Sequence, residues 1–220
     1  MNVKNIPFVC SWSGGKDSCM ALYRAIQAGA KPSYLFTMLR EDEKLSRSHG
    51  IPPAILGQQA ASLGIPLITR GAAWEDYESV FIATLKELNG EGVKVGVFGD
   101  IDFDENRKWE EKVCEEAGLE AYLPIWQSPR RELMEAFLEA GFEAVIVVCN
   151  DEKMGNQYIG RSITQDLIGE FEEMGIDPAG EEGEYHTVVI NGPIFKSPVQ
   201  VDFGDSERHG GYWFLEMNVK

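Results

Sequence analysis

The sequence predicts an α/β fold: a doubly wound parallel sheet followed by a smaller C-terminal α+β domain. Uninterrupted apolar runs, which are typical of parallel strands buried on both faces, alternate with helical segments through the first part of the chain. From residue 186 onward, short strands separated by glycine-containing turns take their place. At 220 residues the chain is long enough for two domains, which we place at residues 1–127 and 128–220.

The first domain is predicted to contain strands joined by helices in strict alternation. The predicted strands lie at residues 8–10, 34–39, 66–69, 93–98 and 121–126. The predicted helices lie at residues 19–26, 54–63, 74–88 and 106–117. This alternation implies right-handed crossovers and therefore a parallel sheet.

The second domain is predicted to open with a helix that Ser128 and Pro129 begin. The predicted helices lie at residues 130–140 and 161–175, and the predicted strands lie at residues 142–149, 186–190, 199–203 and 212–217. Residues 150–160 are polar and contain glycine, which indicates a loop.

The turn between the first strand and the first helix is the strongest candidate for a binding site. Gly14 and Gly15 allow a sharp bend or a close approach of the backbone to a ligand. Free amides at the start of the helix and the charge of Lys16 would attract an anion such as phosphate. The candidate phosphate-binding residues are Ser13, Gly14, Gly15, Lys16, Asp17 and Ser18. The alternative is an ordinary glycine turn in which Ser13 is the helix N-cap.

Two common nucleotide-binding motifs are excluded at this turn. A Walker A loop requires G-x-x-x-x-G-K-[ST], but Asp17 follows the lysine and Cys10 stands where the first glycine belongs. The dinucleotide fingerprint G-x-G-x-x-G is also missing.

Further candidates follow the second and fourth strands. His49 lies in a polar loop that leaves the second strand, where open α/β sheets bind ligands, although an isolated histidine is more often part of a solvated linker. Gly99 and Asp100 end the fourth strand and would border the same crevice if the strand order reverses between strands one and four. Arg107 is unusual in the first turn of a helix because of the helix dipole, which indicates an anionic partner.

An acidic stretch, Gly180 to Thr187, precedes the first strand of the C-terminal sheet. Its carboxylates, Glu181 and Glu184 among them, are either solvated turn residues or a site that holds an amine, a magnesium-bound water or a substrate hydroxyl. His186 next to them would be able to transfer a proton near neutral pH.

Composition narrows the classes of function. The formal net charge of −16 disfavours nucleic-acid binding, which relies on Lys and Arg. No apolar run approaches the length of a membrane span and the N-terminus lacks a signal-peptide pattern, so a soluble cytoplasmic protein is expected. The four cysteines are scattered without a C-x-x-C pair, which predicts buried apolar residues rather than a zinc or sulfur-relay site.

The loop at residues 13–18 resembles the SGGxDS loop of the PP-loop ATP pyrophosphatases, and nearly the whole chain resembles their diphthine ammonia ligase group. The other matching segments are SRSHGIP at 46–52, GDIDFDENRKWEEKVCEEAGL at 99–119, IGRSITQDLI at 159–168 and GEEGEYHTVVINGPIF at 180–195. The resemblance implies an N-terminal ATP-binding domain of the adenine nucleotide alpha hydrolase type and a C-terminal domain that covers the substrate.

The resemblance also implies a reaction and its participants. ATP, Mg²⁺ and ammonium would amidate a carboxylate on a modified histidine of elongation factor 2 through an acyl-adenylate, with release of pyrophosphate and AMP. The implied catalytic residues are Lys16, Asp17, Glu184 and His186. The implied ATP-binding residues are Ser13, Gly14, Gly15, Lys16, Asp17, Ser18, the backbone near Met38, His49, Gly99 and Asp100. Arg107, Glu181, Glu184 and Thr187 are the substrate-binding candidates, and Asp17 and Asp100 are the candidates for magnesium.

One departure from the family pattern keeps the acceptor open. The diphthine-specific motif G-G-E-[FY]-E-T has a glycine where Glu182 stands and a glutamate where His186 stands. The histidine version resembles relatives proposed to act in cobalamin salvage, so a corrinoid or another small carboxylate is the alternative acceptor. A catalytically silent ATP- or AMP-binding regulatory protein is the alternative outside enzymes, and tRNA sulfur transfer is disfavoured. Apolar residues near Trp213 and Phe214 leave a homodimer open.

Overall fold

A computed structural model describes residues 1–220, which divide into two compact units. The first unit contains residues 1–13, 17–47 and 64–127, and the second contains residues 14–16, 48–63 and 128–220. The boundary after Gln127 agrees with the prediction, but residues 14–16 and 48–63 belong to the same unit as the C-terminal residues. The two contiguous domains therefore stay a prediction.

The first unit contains a five-stranded, wholly parallel sheet with strand order β3-β2-β1-β4-β5. Its strands are β1 (Pro7–Ser11), β2 (Lys31–Leu39), β3 (Leu67–Gly71), β4 (Val95–Val97) and β5 (Glu120–Tyr122). The doubly wound parallel sheet is confirmed, and the strand order reverses between β1 and β4 as the ligand-crevice argument required. The predicted fifth strand is too long, because the chain turns after Tyr122 and Trp126 N donates to Leu123 O.

Helices α1 (Lys16–Gln27), α3 (Tyr77–Gly90) and α4 (Asp104–Ala117) accompany this sheet, and α2 (Pro53–Leu63) belongs to the second unit. A shared core joins β2, α3 and α4, because each helix turns one apolar stripe inward. Its buried members include Phe36, Met38, Phe81, Leu85, Val113 and Cys114.

The second unit contains an antiparallel sheet with strand order β7-β6-β9-β8. The strands are β6 (Glu143–Asn150), β7 (Tyr185–Asn191), β8 (Val201–His209) and β9 (Tyr212–Val219). Helices α5 (Arg130–Glu139) and α6 (Gln165–Glu173) complete this unit together with α2. The predicted α+β character of the C-terminal part is confirmed.

The predicted start of α6 at residue 161 is wrong. Residues 161–163 are extended beside β6: Arg161 O accepts from Ile146 N, and Ile163 N donates to Ala144 O. Pairing with β6 uses the backbone groups that a helix would need. Thr164 instead caps the helix, because its Oγ1 accepts from the amide of Leu167.

Two further features concern membrane-spanning helices and the exposure of Trp213 and Phe214. No helix of the protein combines the length and the apolar character needed to cross a bilayer. Trp213 and Phe214 are half-buried rather than exposed, and Trp213 Nε1 donates to Asp151 Oδ1 at 2.6 Å. A homodimer through these residues stays a prediction.

Candidate functional site

The glycine loop after β1 is attached to β7 by hydrogen bonds. Gly14 O accepts from Val189 N at 2.9 Å and from Gln59 Nε2 at 2.9 Å, and Gln59 Nε2 also donates to Val189 O at 2.7 Å. Gln59 is fully buried on α2, where an apolar residue is the usual choice. Sequence reasoning missed it, although a polar residue on a buried helix face is a recognisable signal.

Gly15 lies where no other residue fits. A Cβ built on it would lie 2.3 Å from His49 Cε1 and 3.0 Å from Thr187 O. The next amide, that of Lys16, donates to Thr187 Oγ1 at 3.1 Å, so it is not the free anion-binding amide that we expected. The glycine therefore serves a close approach within the protein itself, and Thr187 holds the start of α1.

The side chain of Lys16 is almost completely buried in the second unit. Its Nζ lies 5.3 Å from the centre of the Tyr185 ring, which is a cation–π distance. A buried ammonium requires compensating negative charge or polar contacts. Phosphate binding by Lys16 stays a prediction.

His49 and His186 are in contact beside this lysine. Their ring centroids lie 4.6 Å apart, with the planes inclined by 33°. Nδ1 of His49 lies 2.8 Å from Thr187 O, and because a carbonyl only accepts, Nδ1 carries the hydrogen. Burial, and then the nearby His49 and Lys16, hold the pKa of His186 well below its usual range. His186 is thus neutral at neutral pH, with an unprotonated ring nitrogen that can accept a hydrogen bond.

The acidic stretch before β7 is a fixed turn rather than a solvated charge run. Glu181 N donates to Asp177 Oδ2 at 2.8 Å, and Gly183 N donates to Gly180 O at 3.3 Å. Glu184 is buried, and its Oε1 lies 3.4 Å from Lys153 Nζ. Glu184 lies in the bend just before β7, and His186 is the second residue of that strand.

In the first unit, the candidate carboxylates are carried by segments that touch. Gly99 packs so closely on the start of α1 that a Cβ would lie 2.8 Å from Asp17 C and Ser18 N. This approach brings the segment of Asp100 against that of Asp17. The hydroxyl oxygens of Ser13 and Ser18 lie 3.1 Å apart beside them.

Asp100 has a polar surrounding that sequence reasoning did not find. Its Oδ1 accepts from Asn106 Nδ2 at 2.6 Å. Burial, and then hydrogen bonding to Asp100 and its charge, raise the pKa of Glu110 to about 11. Glu110 is therefore a protonated carboxyl group at neutral pH. The sequence did not single out Glu110, because α4 contains several other charged residues and one more glutamate there is ordinary.

The side chains around Asp100 suit a magnesium site in which the protein supplies only one or two carboxylates. No group of three or more His, Cys, Asp or Glu side chains is arranged to hold a metal ion. Mg²⁺ in nucleotide sites commonly takes one or two carboxylates together with substrate phosphates and waters. Asp17 and Asp100 could supply that number of carboxylates.

Two further candidates have other local partners. Arg107 Nε donates to Glu111 Oε1 at 2.7 Å, and its guanidinium lies 5.3 Å from the Trp126 ring centre. The charge of Arg107 in the first turn of α4 is thus balanced within the helix, so it no longer requires an anionic ligand. The side chain of Met38 belongs to the core, and only its backbone, one residue before the end of β2, stays a candidate for adenine.

Comparison with known proteins extends over both units. The diphthamide synthase N-terminal domain family matches residues 7–121, and the diphthamide synthase C-terminal domain family matches residues 129–220. A Danio rerio protein named diphthine–ammonia ligase is 25% identical over 224 residues, covering 90% of this chain and 87% of its own. A Homo sapiens protein of the same name is 24% identical, covering 93% of this chain and 86% of its own.

Among solved structures, the predicted subunit of a tRNA methyltransferase from Methanocaldococcus jannaschii aligns with a TM-score of 0.47 and 14% identity. The alignment covers 88% of this chain and 100% of that one. The two family matches together span nearly the whole sequence, in the order in which the segments occur here. This chain belongs to the diphthamide synthase family.

Proposed function

We propose that this protein is an ATP-dependent, AMP- and pyrophosphate-forming amide ligase. It would adenylylate a substrate carboxylate and amidate it with ammonia, as the name of its relatives describes for diphthine. The observation that carries the proposal is the fixed loop at Gly14–Lys16. Its backbone is bonded to β7, and the side chain of Lys16 is buried beside the Tyr185 ring.

The first step is the attack of the substrate carboxylate on the α-phosphorus of ATP. A free carboxylate would have to lose oxide, which is a very poor leaving group. Adenylylation gives the acyl carbon AMP as its leaving group instead, and pyrophosphate is released in this step. Negative charge develops on the pyrophosphate, where Lys16 and the hydroxyls of Ser13 and Ser18 would stabilise it. Asp17 and Asp100 would hold Mg²⁺, which would supply positive charge beside the phosphates.

The second step is the attack of ammonia on the acyl carbon, which releases AMP. An ammonium ion loses two protons on its way to the amide, so the step needs a base. His186 is neutral and lies beside Lys16 and His49. We assign it the acceptance of one of these protons.

The acceptor of the amide is a carboxylate, and diphthine on elongation factor 2 is the first to test. A corrinoid carboxylate is the second acceptor to test, because His186 stands where the diphthine-specific motif has a glutamate. Magnesium, ammonium and α-labelled ATP are incubated with the protein and each acceptor, and AMP is separated from ADP. AMP formation with one acceptor is the expected result, and it names the substrate.

The variant Lys16→Ala is expected to lose AMP formation while ATP binding is reduced less, because the lysine acts mainly on charge that develops in the reaction. Lys86→Ala is the matched control, since Lys86 is an exposed lysine of α3 and the change in net charge is the same. ATP binding without AMP formation from any acceptor would contradict the ligase proposal and favour a regulatory nucleotide-binding protein.

A further inference from the structure

Glu184 is a buried carboxylate with incomplete hydrogen bonding. Only 4% of its side chain is exposed. Its Oε1 has a long contact of 3.4 Å with Lys153 Nζ, and its Oε2 is buried without a hydrogen-bond partner. A buried charged oxygen without a donor is strongly unfavourable. The second oxygen is therefore placed to accept a hydrogen bond from a ligand.

The backbone of the turn that carries this carboxylate is held at both ends. Arg130 Nη1 lies 2.8 Å from Asp177 Oδ2, the same oxygen that accepts from Glu181 N. After the turn, Asn150 N donates to Glu184 O at 2.7 Å, which continues the ladder between β6 and β7. These contacts hold the backbone on either side of Glu184, and its side chain is buried from there.

The neighbouring lysine shows which chemistry this carboxylate accepts. Lys153 Nζ donates to Glu182 O at 2.6 Å and makes only the longer contact with Glu184 Oε1. Its backbone amide donates to Asn150 Oδ1, which ties the loop after β6. A primary ammonium therefore reaches Glu184 from one side and leaves the second oxygen for another donor.

We propose that Glu184 binds the ammonium ion from which the amide nitrogen is taken, and that Lys153 competes for the same carboxylate. This inference rests on the proposed ligase function, in which ammonium is a substrate. Ammonium carries a single positive charge, which one buried carboxylate can balance, and its N–H groups can donate to the carboxylate oxygen that has no partner. His186, two residues further along the chain, is the base to which the proposed function assigns one of its protons.

The test is a titration of the full chain with ¹⁵N-labelled ammonium chloride, observed by ¹⁵N-edited NMR at constant ionic strength maintained with sodium chloride. Saturable binding is expected for the unmodified protein. Glu184→Gln should weaken it at least about tenfold, because a charge-assisted pair becomes a neutral one. Lys153→Met should strengthen it about threefold or more, because a competing cation is removed.

Glu182→Gln is the matched control. It removes the same charge two residues away, from a side chain that is 61% exposed, and should leave ammonium binding within about twofold. Equal binding by the unmodified protein and Glu184→Gln would overturn the proposal. Potassium is also tested as a competitor of the labelled ammonium. If potassium displaced it as well as unlabelled ammonium does, and only when Glu184 is present, the site would bind any monovalent cation and the proposal would be overturned.

Two additional measurements separate the possible failures. Thermal unfolding shows whether Glu184→Gln is folded; if it is not, unchanged or weaker ammonium binding in Lys153→Met overturns the proposal. Equilibrium dialysis with ATP tests the ligase function separately. ATP binding without ammonium binding contradicts the ammonium site alone, whereas ammonium binding without ATP binding contradicts the ligase function.

Discussion

The ring of His186 rests against the ring of His49, with centroids 4.6 Å apart, and His49 is itself anchored to the carbonyl oxygen of Thr187. The matching segment at residues 180–195 thus contacts the glycine loop at residues 13–18, since Thr187 Oγ1 also accepts from the amide of Lys16. Two imidazoles and a buried ammonium share this part of the second unit. Their burial and proximity are the reason why His186 stays unprotonated.

This contact predicts a pH dependence of stability. The pKa of His186 is held below its unfolded value of 6.5, so the unfolded chain binds more protons than the folded one below that pH. Stability should therefore fall as the pH drops below about 6.5, by up to about 1 kcal/mol per pH unit from this group. Urea unfolding of the unmodified protein and of His186→Gln measures the effect. Parallel stability curves for the two proteins would contradict it.

Gly15→Ala should be strongly disruptive. The added Cβ meets the His49 ring and the Thr187 carbonyl, and neither can withdraw without breaking its own contacts. We expect a loss of about 1–3 kcal/mol in stability, as for overpacked sites, and at least about tenfold weaker ATP binding. Chemical denaturation and equilibrium dialysis with ATP are the measurements.

The control for this substitution is Gly57→Ala. Gly57 lies within α2, and nothing lies within 4 Å of the position that a Cβ would take there. Alanine is a better helix former than glycine by about 1 kcal/mol, so this variant should be as stable as the unmodified protein or more stable. If both alanine variants behaved alike, the close packing of Gly15 would not be important.

Glu110→Gln should stabilise the protein near neutral pH. The pKa of Glu110 is raised from 4.5 to about 11, so the folded state keeps a proton that the unfolded chain releases above about pH 4.5. Stability contributed by this group is lost as the pH rises toward the folded value. Glutamine imitates the protonated carboxyl group and does not titrate.

The advantage of Glu110→Gln over the unmodified protein should grow by about 2 kcal/mol between pH 5 and pH 7, measured by denaturation without ATP or magnesium. Glu105→Gln, at an exposed position in the first turn of the same helix, is the control and should show little change. An advantage that does not vary with pH would show that Glu110 is ionised in the folded protein.

The four cysteines should not react with a thiol reagent in the native protein. Cys10, Cys19, Cys114 and Cys149 are buried, which confirms the sequence prediction, and burial raises the pKa of each thiol. A colorimetric thiol assay should detect almost none under native conditions and all of them in denaturant. If one cysteine reacted rapidly in the folded protein, the burial argument would be wrong and sulfur transfer would again be a candidate function.

Much of the fold followed from local patterns. Apolar runs such as residues 34–39 identify parallel strands because both of their faces are covered, and Gly14-Gly15 marks the turn that follows β1. The start of α6 was missed because residues 161–163 pair with β6. A strand partner more than ten residues away leaves no mark on local periodicity.

The sequence by itself determined the alternation of strands and helices, the glycine turn after β1, and the residue types of the five segments that match the family. Only the tertiary structure decided that the strand order reverses beside β1, that Gln59 and Thr187 fix the glycine loop, and that His186 is neutral. It also decided that Glu184 is left with an unpaired oxygen. Turns and periodicity are encoded by neighbouring residues. Burial and pairing depend on segments that are far apart along the chain, and these set the charge state and the chemistry of the site.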